Sequence, residues 1–394
     1  MSAAPAQTVR RRRVFYIPGY DPFHPRRYRE LYRREGAEQA RISGYGLRLL
    51  PGQGGRGWSV VSEQDGMETR TEFEVLTWSD IVRASMGGSV AATYAQMVRT
   101  AWVYVTTGAL FRLMRLRRGP ILAALYPVVA LLVQALVALA AGLAVFALLP
   151  GVVGLIGLAV TVILVLNGFR RHDRRFFAYY LMHDYAFTAR WRGAYPPDLD
   201  ARLAEFGDRI AAAAEQDWDE VLLIGHSSGA HLAVSVLARL LQQGRLPPGA
   251  KVSLLTLGQA MPMVTYLPEA RALRADLARM GAQERIFWLD VTAPGDACAF
   301  ALCDPVAVSG LVPTGAAPLV ISAAFRKTLS PERWRALRRR FFRLHFQYLC
   351  AFDRPDAYDY FRITAGPRRL PERFAEARPS RSRITRSANR FTAT

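Results

Sequence analysis

The chain has 394 residues and a formal net charge of +20, with 52 lysines and arginines against 32 acidic residues. Only Lys251 and Lys327 are lysines, so the positive charge is carried almost entirely by arginine. This length fits two average domains or one large α/β domain with insertions. The three cysteines form neither a disulfide framework nor a paired metal-binding spacing, which excludes a disulfide-rich secreted domain and a zinc finger.

The amino-terminal part predicts a buried strand rather than a leader. Arg10 to Arg13 precede the short apolar run Val14 to Ile17, which stops at Pro18. A secretory signal needs a longer apolar region, so we expect none here. After this strand the patterns predict a helix over 25–41, strands over 46–50, 58–62 and 71–78, and an amphipathic stretch over 98–116.

The segment 121–166 carries no formal charge, and Gln134 is its only strongly polar side chain. Its 46 residues exceed one membrane span and suit two spans of about 20 residues each. We expect a transmembrane hairpin with spans near 121–142 and 144–166, turning at Gly142 or at Pro150-Gly151. A buried hairpin of a soluble protein is the alternative, but the remaining chain is too polar to cover both helices.

Arginines flank both ends of this apolar segment. The positive-inside rule therefore predicts that both flanks, and with them the rest of the chain, lie on the cytoplasmic side of the cell membrane. The arginines before the segment are Arg112, Arg115, Arg117 and Arg118, and those after it are Arg170, Arg171, Arg174 and Arg175.

Strands and helices alternate after the hairpin. The patterns predict strands from Val221 and over 251–257, 286–291 and 318–325, and helices over 199–216, 230–242, 268–280 and from Pro331 onward. This alternation is typical of an α/β fold with a mostly parallel sheet and helices on both faces.

The most specific motif is Gly225-His226-Ser227-Ser228-Gly229, between an apolar run and a helical pattern. Gly-x-Ser-x-Gly in this position is typical of a nucleophile elbow, whose sharp strand-to-helix turn exposes a serine hydroxyl. Both glycines are needed because a side chain would collide with neighbouring chain. The alternative is an ordinary glycine-rich βα turn. The half-matching segment 87–91 has no strand directly before it.

On this motif and the order of the elements, the chain resembles the α/β-hydrolase superfamily of serine esterases and lipases, over about 14–78 and 199–349. The resemblance divides the chain into a first hydrolase part (1–118), an inserted hairpin (119–168), a second hydrolase part (169–370) and a basic tail (371–394), which we expect to be disordered. The usual HGGG-type motif is absent. Only thirteen residues precede the first strand, which leaves no room for two earlier strands.

The resemblance implies a triad in the chain order serine, acid, histidine. His345 is the histidine free to approach Ser227 from a distant loop, since His226 lies inside the elbow motif and His231 on the following helix. His345 as an ordinary residue of a basic helix is the alternative. We expect Asp296 to be the acid, because it follows a predicted strand in a loop. Asp290 and Asp304 remain alternatives.

An oxyanion hole requires two backbone N–H groups aimed at the developing negative charge. The resemblance implies one from Ser228 and one from the loop after the first strand, at Gly19 or Tyr20. Tyr20 is favoured, since Pro18 has no N–H. A plain Pro-Gly turn is the alternative.

These patterns predict a membrane-anchored serine hydrolase that cleaves a carboxylic ester, a lipid ester included, through an acyl-enzyme on Ser227, without cofactor or metal. An acyltransferase with the same triad and a non-catalytic membrane scaffold are the alternatives. The expected partners are the lipid bilayer and a small-molecule or lipid ester. Nucleic-acid binding is not expected, because the arginines cluster beside the apolar segment and at the termini, without a recognition motif.

Overall fold

The computed structural model describes residues 8–52 and 57–394. Eight strands form one sheet. They are β1 (Arg11–Ile17), β2 (Gly46–Pro51), β3 (Trp58–Gln64), β4 (Met67–Val75), β5 (Glu220–His226), β6 (Val252–Leu257), β7 (Phe287–Thr292) and β8 (Leu319–Ser322).

Eighteen α-helices, many of them short, and one 3-10 helix (Phe346–Leu349) are found in the described residues. The α-helices are α1 (Arg26–Ser43), α2 (Ser79–Ser85), α3 (Val90–Thr106), α4 (Ala109–Leu116), α5 (Arg118–Leu148), α6 (Gly151–Arg171), α7 (Asp173–Phe176), α8 (Ala178–Arg190), α9 (Pro197–Ala214), α10 (Ser228–Gln242), α11 (Met261–Thr265), α12 (Arg271–Ala282), α13 (Pro305–Val308), α14 (Phe325–Thr328), α15 (Pro331–Leu337), α16 (Phe341–His345), α17 (Tyr360–Ala365) and α18 (Leu370–Arg373).

The strands lie in the order β2-β3-β4-β1-β5-β6-β7-β8. β1 pairs in parallel with β4 on one side and with β5 on the other, and β5 to β8 continue the parallel part. β2, β3 and β4 form an antiparallel meander at one edge. The predicted α/β class with a mostly parallel sheet is confirmed. The two strands that lie beyond β4 in the sheet, β2 and β3, both come after β1 in the chain.

Helices cover both faces of the sheet, because alternate residues of the central strands point to opposite sides. Phe15 of β1 and Leu223 of β5 pack in one apolar core with α9, α10 and α12. Val14 and Leu222 belong to the opposite core, with Tyr32 of α1 and residues near the carboxyl end of the chain. Central strands buried on both faces explain the continuous apolar runs in the sequence.

A crevice opens where the strand order reverses. From β1 the chain builds β2 to β4 on one side, and then crosses to β5 on the other side of β1. The helices that follow β1 and β5, α1 and α10, lie on opposite faces of the sheet. Open α/β sheets bind ligands in the crevice outside the carboxyl ends of two such strands. Residues 18–21 and Ser227 lie at this crevice.

Two helices, α5 and α6, are long and apolar enough to cross a membrane, and most of their side chains are exposed. The turn lies at Leu149 and Pro150, which agrees with the expected turn position Pro150-Gly151 and not with Gly142. The inner bounds of the expected spans near 121–142 and 144–166 are therefore wrong, because α5 continues to Leu148. Gly142 instead lies where the two helices touch. A Cβ there would be 3.1 Å from the carbonyl oxygen of Leu158, so the small residue permits close packing.

Two further expectations need correction. The amphipathic stretch expected as one segment over 98–116 belongs to two helices, α3 and α4, which are separated at Gly108 with a φ of 67°. The tail expected to be disordered over 371–394 lies against the sheet, where the N–H groups of Ser380 and Ile384 donate to the carbonyls of Val320 (2.9 Å) and Leu302 (2.8 Å). These contacts could not be predicted from the polar, arginine-rich composition of the segment.

Candidate active site

Ser227 occupies a strained backbone conformation between β5 and α10. Its φ is 57° and its ψ is −125°, a region that residues with a side chain rarely adopt. Such conformations cost about 1–3 kcal/mol and persist only where the surrounding structure enforces them. Here the N–H of Ser227 donates to the carbonyl of Leu257 at 2.9 Å, which ties the turn to the end of β6.

The two glycines of the elbow are required by close backbone contacts. A Cβ at Gly225 would lie 2.5 Å from the carbonyl oxygen of Gly229 and 2.6 Å from the Cα of Ala230. A Cβ at Gly229 would lie 2.6 Å from the carbonyl oxygen of Pro18, in the loop after β1. Any side chain at either position would force the backbone apart, so the elbow and the β1 loop are packed directly together.

The loop after β1 passes against the serine side chain. A Cβ built at Gly19 would lie 2.9 Å from the Cβ of Ser227 and 3.3 Å from its Oγ. Within the described residues, the N–H groups of Gly19, Tyr20 and Ser228 donate no hydrogen bond. These backbone donors beside the hydroxyl are therefore available to a ligand.

Tyr20 is held in place by its side chain and its carbonyl. Its ring is buried against Trp78, and its hydroxyl is hydrogen-bonded to the Oγ of Ser85 at 2.6 Å. The hydroxyl of Tyr180, from α8, donates to the carbonyl of Tyr20. Burial raises the pKa of the Tyr20 phenol, so the ring stays neutral. A donor fixed in this way loses little freedom when it binds an anion.

The structure brings Asp296 and His345 together. Nδ1 of His345 donates to Oδ2 of Asp296 at 2.7 Å, and both side chains are buried. The same carboxylate accepts from the hydroxyl of Tyr348 at 3.0 Å and from the N–H of Cys298 at 2.9 Å. Since Nδ1 is occupied, Nε2 is the nitrogen left for proton transfer, and it is buried without a hydrogen-bond partner in the described residues.

Ser227 and His345 line the same cavity, but no hydrogen bond joins Oγ to Nε2. Catalytic hydrogen bonds are often long or misaligned before substrate binds and tighten in the complex. The acid–histidine pair and the strained serine therefore lie around one cavity, without a direct hydrogen bond between the serine and the histidine.

The two alternative acids do not contact His345. Oδ1 of Asp290 accepts from the hydroxyl of Thr256 at 2.6 Å inside the sheet, and burial raises the pKa of Asp290 to about 8. Asp304 begins α13, where it accepts from the N–H groups of the next turn at 3.0 and 3.1 Å. Each has a local structural role and, unlike Asp296, no hydrogen bond to His345.

The two histidines set aside at the sequence level are also neutral supports. The ring of His226 donates through Nε2 to the carbonyl of His345 at 3.0 Å, which fixes the backbone that carries the imidazole. Burial, followed by the nearby His345, lowers the pKa of His226. His231 is hydrogen-bonded to the hydroxyl of Tyr195 at 2.9 Å, and burial lowers its pKa to about 3.

A cavity of about 1430 Å³ surrounds these groups. It extends from Ser227 to the two ends of the apolar hairpin, at Pro120 and Arg170. Asp184 of α8 also lines it, and burial raises the pKa of Asp184 to about 7, opposed by the neighbouring His345. Sequence reasoning missed Asp184, Tyr348 and the supporting role of His226, because only the fold brings them to the elbow.

Asp296, Cys298 and His345 each offer a ligand atom within 4.8 Å of the others, which is the geometry of a possible metal site. The donor chemistry fits poorly. Nδ1 of His345 already donates to Asp296, and burial raises the pKa of the Cys298 thiol well above its usual value. A metal binds the thiolate form of cysteine, so binding here would first have to remove the proton of the buried Cys298 thiol. A metal on Nδ1 of His345 would also replace the hydrogen bond to Asp296.

Comparisons with protein-family models, with curated proteins and with solved structures give no match to this chain. The proposed function therefore rests on the sheet, the strained serine and the acid–histidine pair. Function is argued from the site rather than from the fold in such a case.

Proposed function

We propose that this chain is a membrane-anchored serine hydrolase of the α/β-hydrolase kind, which cleaves a carboxylic ester through an acyl-enzyme on Ser227. The observation that carries the proposal is the backbone of Ser227, held at a φ of 57° at the mouth of a large cavity. A strained residue that the fold maintains at such a place is expected to serve a function.

The order of the site residues supports the same chemistry. Ser227 follows β5, Asp296 follows β7 and His345 follows β8, which is the serine, acid, histidine order of α/β-hydrolases. The loop after β1, the neighbour of β5 in the sheet, carries the second candidate oxyanion donor at Tyr20. Several independent elements thus converge on one point at the carboxyl edge of the sheet.

The chemistry follows from the roles of these groups. The Oγ of Ser227 attacks the ester carbonyl carbon while Nε2 of His345 takes its proton, and Asp296 stabilises the imidazolium through Nδ1. The N–H groups of Ser228 and Tyr20 stabilise the oxyanion. The carbon–oxygen ester bond then breaks, and the alcohol leaves with the proton from His345. Water attacks the acyl-enzyme by the reverse proton path, releasing the carboxylic acid and restoring Ser227.

The membrane anchor is part of the proposal. The arginines on both sides of the α5–α6 hairpin favour an orientation with both flanks in the cytoplasm. Because the cavity reaches both ends of the hairpin, at Pro120 and Arg170, an ester substrate can arrive at Ser227 from the membrane surface. A cytoplasmic active site at the bilayer surface is the expected location.

Labelling of the full chain with a fluorophosphonate, which reacts with activated serines, tests the proposal. We expect the wild type to be labelled, and labelling to be lost in Ser227→Ala, His345→Ala and Asp296→Ala. Ser89→Ala is the matched control. Ser89 lies in the half-matching glycine segment and caps α3, where its Oγ accepts a 3.1 Å hydrogen bond from the N–H of Ala92. Ser89→Ala should therefore lower the free energy of unfolding by about 1 kcal/mol and leave labelling unchanged.

Folded wild-type protein that is not labelled would contradict the enzyme proposal and favour a non-catalytic scaffold. Labelling that persists in Ser227→Ala would show that another serine is the activated one. Folding of each variant is checked by circular dichroism, because loss of Asp296 leaves the Tyr348 hydroxyl and the His345 ring without their shared acceptor.

A further inference from the structure

Five arginines that line the cavity form no ion pair within the described residues. They lie in two groups: Arg170, Arg171 and Arg174 at the end of the hairpin, and Arg340 and Arg343 immediately before His345. None of their side chains has a protein hydrogen-bond partner in the described parts of the chain. Their charges are therefore free to meet a ligand.

The other arginines of the cavity contrast with these five. Arg27 pairs with Asp21 at 3.2 Å and Arg34 with Glu35 at 3.0 Å. Arg333 pairs with Glu35 at 3.4 Å and with Asp353 at 3.2 Å. These ion pairs belong to the cavity wall. The arginines that have no carboxylate partner lie only at the end of the hairpin and in the segment before His345, among the arginines of the cavity in the described residues.

Apolar side chains line the same cavity. Phe177 and Leu181 come from the segment that returns from the hairpin, and Leu337 and Phe342 from α15 and α16. The volume of about 1430 Å³ exceeds the roughly 300–1,000 Å³ typical of small-molecule pockets. A space with apolar walls and unpaired cations that extends to the hairpin ends suits an amphiphile with acyl chains and a negative headgroup.

Guanidinium groups match phosphate particularly well, because their planar fork donates two hydrogen bonds to two oxygens. Arg343 lies two residues before His345 and Arg340 five residues before it. Both arginines line the same cavity as His345 and Ser227, so a phosphate bound by this pair and an acyl ester on the same molecule occupy one continuous space.

We propose that the substrate is an anionic phospholipid, with its phosphate bound by Arg340 and Arg343 together with the arginines at the end of α6. The proposal rests on the hydrolase function and names its substrate class. Cleavage of the acyl carbon–oxygen bond by water gives a free fatty acid and a lysophospholipid, with no other co-reactant. Soluble acyl thioesters that carry phosphate groups, such as acyl-coenzyme A, also combine a cleavable acyl group with phosphate, but they do not require the hairpin ends.

The test compares monomeric short-chain lipids, which separates recognition at the site from attraction of a +20 protein to a charged vesicle. The full chain in nonionic detergent is assayed for kcat/KM on dihexanoyl-phosphatidylglycerol, which is anionic, and on zwitterionic dihexanoyl-phosphatidylcholine. Butyryl-coenzyme A is the soluble comparison. We expect the wild type to prefer the anionic lipid over both.

Arg340→Gln/Arg343→Gln should lower the anionic-to-zwitterionic kcat/KM ratio by about tenfold or more, because charge-assisted hydrogen bonds are lost. Arg340→Lys/Arg343→Lys should restore part of the ratio, since charge remains but the fork is lost. The matched control is Arg338→Gln/Arg339→Gln, which removes the same charge from neighbouring exposed residues that do not line the cavity. Its ratio should equal that of the wild type.

No preference in the wild type, an unchanged ratio in Arg340→Gln/Arg343→Gln, or an equal fall in the control pair would each overturn the proposal. Preference for butyryl-coenzyme A would overturn the lipid assignment. If fluorophosphonate labelling and all ester hydrolysis are absent, the proposed hydrolase function is wrong, independently of the lipid assignment. Calorimetric binding of dihexanoyl-phosphatidylglycerol to Ser227→Ala then decides the lipid claim, which requires binding that is lost when Arg340 and Arg343 are also changed to glutamine.

Discussion

Gly19→Ala is a direct test of the packing between the β1 loop and the candidate nucleophile. The φ of Gly19 lies outside the left-handed region, so alanine fits the backbone without strain. Its new methyl would lie 2.9 Å from the Cβ of Ser227 and 3.3 Å from the Oγ. Carbon atoms in contact rest about 3.5–4.0 Å apart, so one of the two groups must move by roughly 0.6–1 Å.

The size of this displacement sets the expected loss. A misplacement of about 1 Å at a reacting atom can lower a rate by about 10²-fold. The accompanying overpacking should reduce the free energy of unfolding by about 1–3 kcal/mol. We therefore expect the rate constant for fluorophosphonate labelling to fall by about 10²-fold, with a modest fall in the thermal unfolding midpoint.

Gly281→Ala provides the matched control. A Cβ at Gly281 would lie 2.9 Å from Cγ1 of Val306, which is the same overlap at the end of α12, away from the cavity. This variant should lose stability without losing labelling. If Gly19→Ala and Gly281→Ala label at the same rate, the β1 loop does not constrain Ser227 and the arrangement described here is refuted.

Two other predictions concern the sheet and the hairpin. Burial raises the pKa of Asp290 from its ordinary value of 3.8 to about 8, so between these pH values the folded protein keeps a proton that the unfolded chain has released. The free energy of unfolding should therefore fall as the pH rises from about 4 to about 8, by up to about 1.4 kcal/mol per pH unit from this group. Thermal unfolding at pH 5 and pH 8 should show a smaller difference for Asp290→Asn, and an unaltered difference would exclude this origin. A protease-sensitive reporter inserted after Arg175 should be found in the cytoplasm, and an external reporter would reverse the proposed topology.

The elbow could be predicted because its requirements are local. Gly225 and Gly229 are fixed by atoms a few residues away or in the adjacent strand, and the apolar run before them is a buried parallel strand. The α/β class followed from the same kind of pattern. The choice of Asp296 over Asp290 and Asp304 could only be ranked from the sequence. The contact with His345 joins residues 49 positions apart, and no periodicity encodes that distance in space.

The hairpin turn and the tail show why composition misleads. Gly142 looked like a place for the chain to turn, yet a glycine also allows two helices to approach, and only the packed pair reveals which role it has. In the same way, the polar segment after Arg378 gave no apolar pattern, because it is held by backbone hydrogen bonds and by polar side chains such as Asn389, which donates to the carbonyls of Thr265 and Ser309 at 2.9 Å. That Arg340 and Arg343 line the same cavity as the arginines after the hairpin depends on the fold, and no sequence pattern indicated it.

The position of β1 between β4 and β5 also has a consequence for biosynthesis. A ribosome completes β1 to β4, then both apolar helices, and only afterwards reaches Glu220, where β5 begins. Throughout that interval one edge of β1 has no partner strand, and such an edge is prone to wrong pairing. The sheet can therefore be completed on this side of β1 only after both apolar helices have been synthesised and the elbow strand has emerged.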